Sequence, residues 1–201
     1  MANFYKKSHQ SGRSMIEMLG VLAIIGVLSV AGIAGYTKAM ESHRINKLRD
    51  QVVTVFQNIA TSVGNGQDTS QFADPNVTDA LHILPPEMGS ARNCHHALGG
   101  YCVLNTTTNS KGEYSGVFLR LRDLPPAACI AIGTLEIVTP GASVGVYINA
   151  ANYVAISKST CTTEDGEETC KFAKARTIAQ ATQECRGKLN AVMIAFGNKI
   201  W

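Results

Sequence analysis

The sequence predicts an α+β fold: a long N-terminal α-helix packed on an antiparallel β-sheet head, with a disulfide-tied C-terminal region. Three observations lead to this fold class. An uncharged apolar run is followed directly by an amphipathic helical pattern, strand-like runs come later in the chain, and all six cysteines lie beyond residue 93. With 201 residues, the chain is long enough for one such domain with its own core.

The first element is an apolar run without a charged residue from Met18 to Tyr36. A helix over this run would reach roughly 28 Å at 1.5 Å per residue, close to the hydrocarbon thickness of a bilayer. Residues 1–12, a short polar segment at the N-terminus, carry Lys6 and Lys7 and no acid. This basic flank predicts that the N-terminus stays in the cytoplasm while the rest of the chain crosses the membrane.

A single carboxylate, Glu17, stands at the start of this run. An acidic side chain at a membrane segment is costly unless it has a partner, so it is a functional candidate. The alternative is an interfacial acid whose carboxylate simply reaches water. The glycines of the run either reflect the usual composition of membrane helices or allow close helix approach and local melting in an assembly: Gly20, Gly26, Gly32 and Gly35.

The helical pattern continues beyond Tyr36 and becomes amphipathic. Apolar residues recur mostly at three- and four-residue steps, which is the spacing of one helix face: Ile45, Leu48, Val52, Val55, Phe56, Ile59 and Val63. Gly64-Asn65-Gly66 is a good C-terminal stop. We therefore expect one helix over about 14–63, whose first half is apolar all round and whose second half has an apolar stripe for a globular head.

The remainder of the chain predicts loops, strands and short helices. Residues 66–112, rich in Asn, Gly, Thr and Pro, indicate a long surface connection with a helical turn near Asp79–Leu84. A helix opened by prolines is expected at Pro125–Ile132 and another helix at Thr177–Cys185. Strands are expected in four runs, with a hairpin turn at Asn149–Asn152 joining the second to the third: Tyr114–Leu121, Ser143–Ala150, Tyr153–Lys158 and Asn190–Phe196.

All six cysteines lie in the part of the chain that would be exported, which predicts disulfides formed in an oxidising compartment. Six cysteines allow fifteen pairings in principle. Proximity favours two short pairings and leaves a long third: Cys94–Cys102, Cys161–Cys170 and Cys129–Cys185. In the chain-entropy model each short loop contributes roughly 2.6 kcal/mol and the long loop about 4 kcal/mol.

Composition argues against some classes of function. The formal net charge is +3 at pH 7, charged residues make up 16%, and Lys and Arg do not cluster into a stripe. Nothing in this pattern indicates direct nucleic-acid binding. The many small residues suit a surface that packs against other copies, although a plain secreted domain would also have them.

The N-terminal residues resemble a known signal: Gly12, one residue, Ser-Met-Ile, Glu17 five positions after the glycine, and then the apolar run. This arrangement resembles the class III signal of type IV prepilins and pseudopilins. The resemblance implies that a prepilin peptidase cuts after Gly12 on the cytoplasmic side. The mature protein would then begin at Arg13 and keep the apolar helix.

The resemblance also implies an organisation in four parts: a leader peptide at 1–12, a transmembrane and filament-core helix at 13–36, an amphipathic helix half at 37–65, and a disulfide-containing pilin head at 66–201. The long Cys129–Cys185 pairing resembles the bridge that closes the C-terminal D-region of type IV pilins. This span and the large mature size resemble the type IVb subclass, which includes conjugative thin-pilus subunits.

In this family the acid at the position of Glu17 pairs with the N-terminal amine of a neighbouring subunit as the filament assembles. Arg13 stands where the family most often has Phe, so the N-methylation usual at this residue is an open point here. Arg13 and Glu17 are four residues apart and hence neighbours on a helix face. They could therefore pair within one chain before assembly.

The function implied is that of a structural subunit polymerising into an extracellular pilus, not an enzyme. Expected partners are other copies of the chain, the prepilin peptidase, the inner-membrane assembly machinery and, before assembly, the membrane; no cofactor is expected. Adhesion, conjugation, motility and DNA uptake are all compatible roles for such a filament, and the sequence does not distinguish them. Two alternatives stay open: a pseudopilin or minor pilin with the same N-terminus, and a signal-anchored exported enzyme in which Glu17 is incidental.

Two other clusters have residue types that bind metal ions. Cys94-His95-His96 with Cys102 is similar to part of a zinc site, but the cysteine spacing is wider than usual and export favours a disulfide. The acidic run Glu164–Glu168 lacks the alternating oxygen ligands of an EF-hand loop, so a solvated hairpin tip is expected. The sequence therefore predicts no metal site at either cluster.

Overall fold

The computed structural model describes residues 15–66, 68–108, 114–137, 142–149, 161–164, 167–170 and 175–198. The chain divides into two compact units, Met1–Ser42 and His43–Trp201, and each unit is described by itself. The expected strand Tyr153–Lys158 and the expected turn residues 150–152 lie outside the described residues.

Helix α1 runs from Met15 to Gly64. Its part in the first unit has no proline and is dominated by apolar side chains, so the backbone hydrogen-bond ladder is uninterrupted. Two hydroxyls bond back to the helix: Ser29 donates to the carbonyl of Ile25 (2.7 Å) and Thr37 to that of Ala34 (2.9 Å). This bonding satisfies the hydroxyl groups without water, as an apolar environment requires.

In the second unit the remaining part of α1 packs on a β-sheet. Its buried residues recur at three- and four-residue steps and form one face: Leu48, Gln51, Val52, Val55, Phe56 and Ile59. At the end of the helix the N–H groups of Asn65 and Gly66 donate to the carbonyls of Thr61 and Val63, both at 3.0 Å. Gly66 has a φ of 87°, the left-handed conformation that glycine adopts at helix ends. The helix expected over about 14–63 is confirmed.

Three short elements follow α1: 3-10 helices at Thr69–Ala73 and Pro86–Met88, and helix α2 at Pro75–Ala80 between them. The side chain of Asp74 caps α2, and the helix opens with a proline that has no N–H to lose. The helical turn expected near Asp79–Leu84 therefore begins earlier, because the Asp-Pro pair sets its N-terminus.

The main sheet is antiparallel, with strand order β1-β2-β3-β4-β8-β5. Its strands are β1 Gly89–Ser90, β2 Asn93–His95, β3 Tyr101–Thr108, β4 Tyr114–Leu124, β5 Ala142–Ile148 and β8 Asn190–Asn198. A separate antiparallel pair consists of β6 Cys161–Glu164 and β7 Glu167–Cys170. The other helices are α3 Pro126–Gly133 and α4 Ile178–Glu184.

The core of the second unit lies between its part of α1 and one face of the main sheet. Inward-facing side chains alternate along β4 and β8 and are at most 2% exposed: Val117, Leu119, Leu121, Val192, Ile194 and Phe196. The ring centroid of Phe196 lies 6.2 Å from that of Phe56 on α1. Each fully buried aliphatic or aromatic side chain stabilises the fold by roughly 1.5–3 kcal/mol.

The fold class is confirmed as a long N-terminal helix with an antiparallel sheet. The expected strands are confirmed at β4, β5 and β8, and the expected helices at α3 and α4. The expectation of a surface connection over 66–112 is wrong for 89–108, which contains β1–β3. Thr106-Thr107-Thr108 lies among asparagines and resembles a loop, yet threonine is β-branched and favours strands, and pairing with β4 satisfies its backbone.

Candidate assembly surface

The first part of α1 exposes apolar side chains on all sides. Within Met15–Tyr36 the large apolar residues are between 53% (Ile25) and 81% (Met15) exposed. Monomeric soluble proteins rarely expose contiguous apolar patches larger than a few hundred Å². This surface, which we call the apolar helix surface (residues 15–36), therefore requires a lipid or protein environment.

By length and composition α1 qualifies as a membrane-spanning helix, and none of its most apolar window is buried. A signal sequence near an N-terminus satisfies the same criterion. A buried core helix, which would also satisfy it, is excluded here by the exposure of the window.

Glu17 lies in the first turn of α1 and is exposed. Among the described residues no side chain or backbone group forms a hydrogen bond or ion pair with it. The first turn of a helix favours a carboxylate through the helix dipole, but only by about 0.3–1 kcal/mol at an exposed position. The predicted partners in processing and pairing, Gly12 and Arg13, lie outside the described residues.

The glycines of the apolar helix surface are not explained by packing within the chain. A Cβ built on Gly20, Gly26, Gly32 or Gly35 meets nothing within 4 Å. Both interpretations from the sequence therefore remain: the usual glycine content of membrane helices, or space for a helix from another copy.

Two disulfides join segments of the second unit. Cys94–Cys102 links neighbouring strands β2 and β3 with a Cα–Cα distance of 5.0 Å. Cys129–Cys185 links α3 to the end of α4 across 56 residues of sequence, with a Cα–Cα distance of 5.8 Å. These are the first and third of the pairings favoured by the sequence.

For the remaining pairing, Cys161–Cys170, only the backbone is described. Cys161 and Cys170 are directly opposite each other in the β6–β7 register. Opposite residues of antiparallel strands have Cα atoms about 4.5–5.5 Å apart, a separation that a disulfide spans. The Cys161–Cys170 bond stays a prediction. The solvated tip expected at Glu164–Glu168 also stays a prediction; Glu164 and Glu167 are paired where β6 ends and β7 begins.

The residues of the Cys94-His95-His96 cluster make contacts within the protein that are not those of metal ligands. Cys94 and Cys102 bond to each other, so they offer no thiolate to a metal ion. The ring of His95 lies 4.8 Å from that of Tyr101, and its Nε2 is 3.1 Å from the Oδ1 of Asn93. Within the described residues no group of three His, Cys, Asp or Glu side chains is placed to hold a metal ion.

His96 holds the β2–β3 connection against the sheet. It is 3% exposed; its Nε2–H donates to the carbonyl of Arg122 (2.8 Å), and its Nδ1 accepts from the N–H of Leu98 (3.3 Å). Only the neutral ring can make both contacts, because a protonated ring has no nitrogen left to accept a hydrogen bond. Burial lowers the pKa of His96, which outweighs the opposing effects of the Arg122 hydrogen bond and the Asp123 charge.

Two asparagines have roles that the sequence did not indicate. Asn149, expected to open a hairpin turn, has a φ of 52° and bonds to the Glu184 carbonyl (2.8 Å) and to Asn190 (3.0 Å). Asn190, expected only as the first residue of a strand, is 3% exposed and bonds to the Leu124 and Gly187 carbonyls. The sequence held only a weak signal for these roles. Asparagine tolerates left-handed backbone, but among the described asparagines Asn149 adopts it and the others do not.

Comparison with known proteins gives a limited result. No family model matches the sequence, and no curated protein matches it. Among solved structures, the chain is similar to the crystal structure of TcpA, a type IV pilin from Vibrio cholerae El Tor biotype. The identity is 13% and the TM-score 0.46, over 78% of this chain and 99% of that chain. At this identity and TM-score the likeness does not establish a family or a function.

Proposed function

We propose that the chain is the precursor of a structural subunit of a type IV pilus. The observation that carries the proposal is the apolar helix surface (residues 15–36), wholly exposed and with a single acid, Glu17, in its first turn. Such a helix is stable in a membrane before assembly and in a bundle of sister helices afterwards. The folded second unit, with its own core and disulfides, would then form the filament surface.

Processing is proposed after Gly12, which follows from the sequence pattern alone. Removal of residues 1–12 gives a mature chain that starts at Arg13 with a free amine. Residues 13–36 then form the membrane and filament-core helix, 37–65 the amphipathic half, and 66–201 the head. The peptidase that cuts there and the inner-membrane assembly machinery are the partners required by this scheme.

In the filament we propose that Glu17 pairs with the N-terminal amine of a neighbouring copy. Opposite charges about 4 Å apart attract by roughly 4 kcal/mol at an effective dielectric of 20. A subunit in the wrong register leaves both charges unpaired among apolar side chains, which is strongly unfavourable. One ion pair thus sets the register of a surface that is otherwise non-directional.

Arg13 adds a feature of this chain. Arg13 and Glu17 are four residues apart, the spacing of neighbours on a helix face, and we propose that the guanidinium pairs with Glu17 in the monomer and shares it with the neighbour's amine after assembly. The precursor would lie in the bacterial inner membrane with its head outside the cytoplasm, and the assembled form would lie at the cell surface. The subclass proposed is type IVb, and the role of the filament stays open among adhesion, conjugation, motility and DNA uptake.

The test compares Glu17→Gln with Glu41→Gln, because Glu41 is an exposed acid on the same helix outside the apolar helix surface. Each variant is co-expressed with the parent chain, and sheared filaments are analysed by mass spectrometry for the share of each form. We expect Glu17→Gln to be strongly depleted from filaments and Glu41→Gln to enter in proportion to its expression. Equal entry of Glu17→Gln would refute the proposed pairing.

Two measurements separate the proposal from its alternatives. Low abundance of the chain in sheared filaments would instead indicate a minor pilin or a pseudopilin. The mature N-terminus, determined by intact mass and N-terminal sequencing of the surface form, is expected at Arg13. A mature N-terminus near Tyr36 would indicate a cleaved secretory signal and an exported protein with another function.

A further inference from the structure

The second unit carries a pocket on the face of the main sheet opposite its core. The pocket has a volume of about 250 Å³ and is lined mainly by Arg120, Arg122, Asp123, Asn149, Leu189 and Asn190. We call it the bulge pocket. Pockets for drug-sized ligands have volumes of about 300–1,000 Å³, so this one suits a single small molecule.

The bulge pocket is formed by an irregularity in the sheet. Between two paired positions of β4 and β8, Arg122 and Asp123 together oppose the single residue Ala191. This is a β-bulge, a feature that redirects side chains and occurs often beside functional sites. Asp123 has a φ of 61° and Asn149, on the other side of the pocket, a φ of 52°. Left-handed backbone is uncommon for residues other than glycine and concentrates at ligand sites.

One wall of the pocket is held by the hydrogen-bonded amides of Asn190, which is buried, and Asn149, which is exposed. Asn190 donates to the carbonyls of Leu124 (3.3 Å) and Gly187 (2.8 Å). Asn149 donates to the Oδ1 of Asn190 (3.0 Å) and accepts from the N–H of Ala191 (2.9 Å). Because these amides are engaged with the protein, they form the wall and leave ligand contacts to the charged side chains.

The charged side chains give the pocket its chemistry. Arg122 is exposed, and within the described residues its guanidinium has no hydrogen-bond or ion-pair partner. A guanidinium binds a carboxylate with two parallel hydrogen bonds. Arg120 lies two residues earlier on the same face of β4 and adds a second positive charge. Leu189, 62% exposed, supplies an apolar edge.

Asp123 restricts the class of ligand. A site for a bare inorganic anion would not place a carboxylate among its lining groups, because like charges repel. A carboxylate does accept hydrogen bonds from hydroxyl groups. We therefore propose that the bulge pocket binds an acidic monosaccharide. Its carboxylate contacts Arg122, a hydroxyl donates to Asp123, and the apolar face of the sugar ring lies on Leu189.

The first test measures binding to the full chain in detergent micelles by calorimetry, with D-glucuronate as the probe. Glucose, acetate and inorganic phosphate are titrated in parallel. Glucose has the sugar hydroxyls of glucuronate without its carboxylate, whereas acetate and phosphate are negatively charged and have no sugar ring. We expect saturable binding of glucuronate that is about tenfold or more tighter than that of each of the other three. Equal binding of glucose, acetate or phosphate, or no saturable binding of glucuronate, would overturn the proposal.

The second test assigns the binding to the pocket with Arg122→Gln and Asp123→Asn, and uses Arg44→Gln as a control. Arg44 is an exposed arginine on α1 that does not line the pocket, so its replacement changes the net charge by the same amount as Arg122→Gln. Asparagine accepts left-handed backbone, so Asp123→Asn preserves the bulge. We expect each pocket variant to weaken glucuronate binding about tenfold, and Arg44→Gln to leave it unchanged.

A near-UV circular dichroism spectrum and a urea unfolding midpoint that match those of the parent show that a pocket variant is folded. A folded Arg122→Gln variant with unchanged glucuronate affinity refutes the site. Equal weakening by Arg44→Gln shows that only net charge matters, and it refutes the site as well.

Discussion

The two halves of α1 have the same secondary structure and opposite surroundings. The apolar helix surface (residues 15–36) is exposed throughout, whereas Leu48, Val52, Val55, Phe56 and Ile59 are fully buried in the second unit. Isolated helices gain little stability in water from propensity, and most depend on tertiary packing. The second half receives that packing within its own chain. The first half has no such packing among the described residues and requires a lipid or protein environment, so the fold of the second unit depends on the second half alone.

The polar groups of the two halves differ in the same way. In the second half, Gln51 accepts a hydrogen bond from the N–H of Ala97 (2.9 Å), and the guanidinium of Arg49 donates to the carbonyl of Ala131 (3.3 Å). In the first half, the hydroxyl of Ser29 bonds to the carbonyl of Ile25 in its own helix. Gln51 and Arg49 thus connect the second half to neighbouring segments, whereas the hydroxyls of Thr54 and Thr61 in that half bond back to the helix as Ser29 does.

The sharpest test of this difference is a pair of truncations. Phe56→Ala removes a fully buried ring and is expected to lower the free energy of unfolding of the head by about 3–5 kcal/mol. Leu22→Ala, on the apolar helix surface, is expected to leave that free energy unchanged, because Leu22 is 63% exposed. Urea unfolding of the full chain in micelles, followed by near-UV circular dichroism, measures both. Equal losses of unfolding free energy in the two variants would contradict the conclusion that only the second half of α1 stabilises the head.

Removing disulfides is expected to have the next largest effect, and only on the second unit. Replacing both Cys129 and Cys185 by Ala opens the longer loop and is expected to cost about 4 kcal/mol, against roughly 2.6 kcal/mol for Cys94 and Cys102. Membrane insertion of the chain, measured by carbonate extraction, should not change in either variant. If replacing Cys94 and Cys102 cost more stability than replacing Cys129 and Cys185, loop-closure entropy would not be the main contribution of these disulfides.

A smaller effect is expected at Gln51, the buried polar residue on the packed face of α1. Gln51→Ala leaves the N–H of Ala97 without its acceptor, and we expect a loss of about 1–3 kcal/mol in urea unfolding. Gln57→Ala is the matched control, since Gln57 is exposed on the same helix and should be nearly neutral. Similar losses at both positions would mean that helix propensity, not the bond to Ala97, is responsible.

The smallest expected effect is a pH dependence centred on His96. Burial lowers its pKa in the folded state, while Asp123 and His95 nearby act in opposite directions, the first raising the pKa and the second lowering it. Below about pH 6.5 the unfolded chain therefore binds a proton that the folded chain does not, so stability falls as pH decreases.

We expect the free energy of unfolding to decline between about pH 7 and 5.5, and the decline to flatten in His96→Gln. His43→Gln, at an exposed position on α1, is the control and should retain the decline. The measurement is urea unfolding at a series of pH values. A slope in His96→Gln as steep as in the parent would contradict the assignment.

Periodicity was the most informative sequence signal. Apolar residues at helical spacing predicted α1 and its buried face, and alternating runs predicted β4, β5 and β8. The signal failed over 89–108, where short strands with Thr and Asn lack an apolar alternation. β3 forms because it pairs with the backbone of β4, and β2 and β1 then pair in turn with β3 and β2, a condition that local sequence does not report.

The sequence by itself determined the apolar helix, the position of Glu17 on it and the short disulfide Cys94–Cys102, because helical period and chain proximity are local properties. Only the tertiary structure decided the bulge pocket, the buried partners of His96 and the roles of Asn149 and Asn190. Each of these joins segments far apart in the chain, and which segments meet depends on strand order and register.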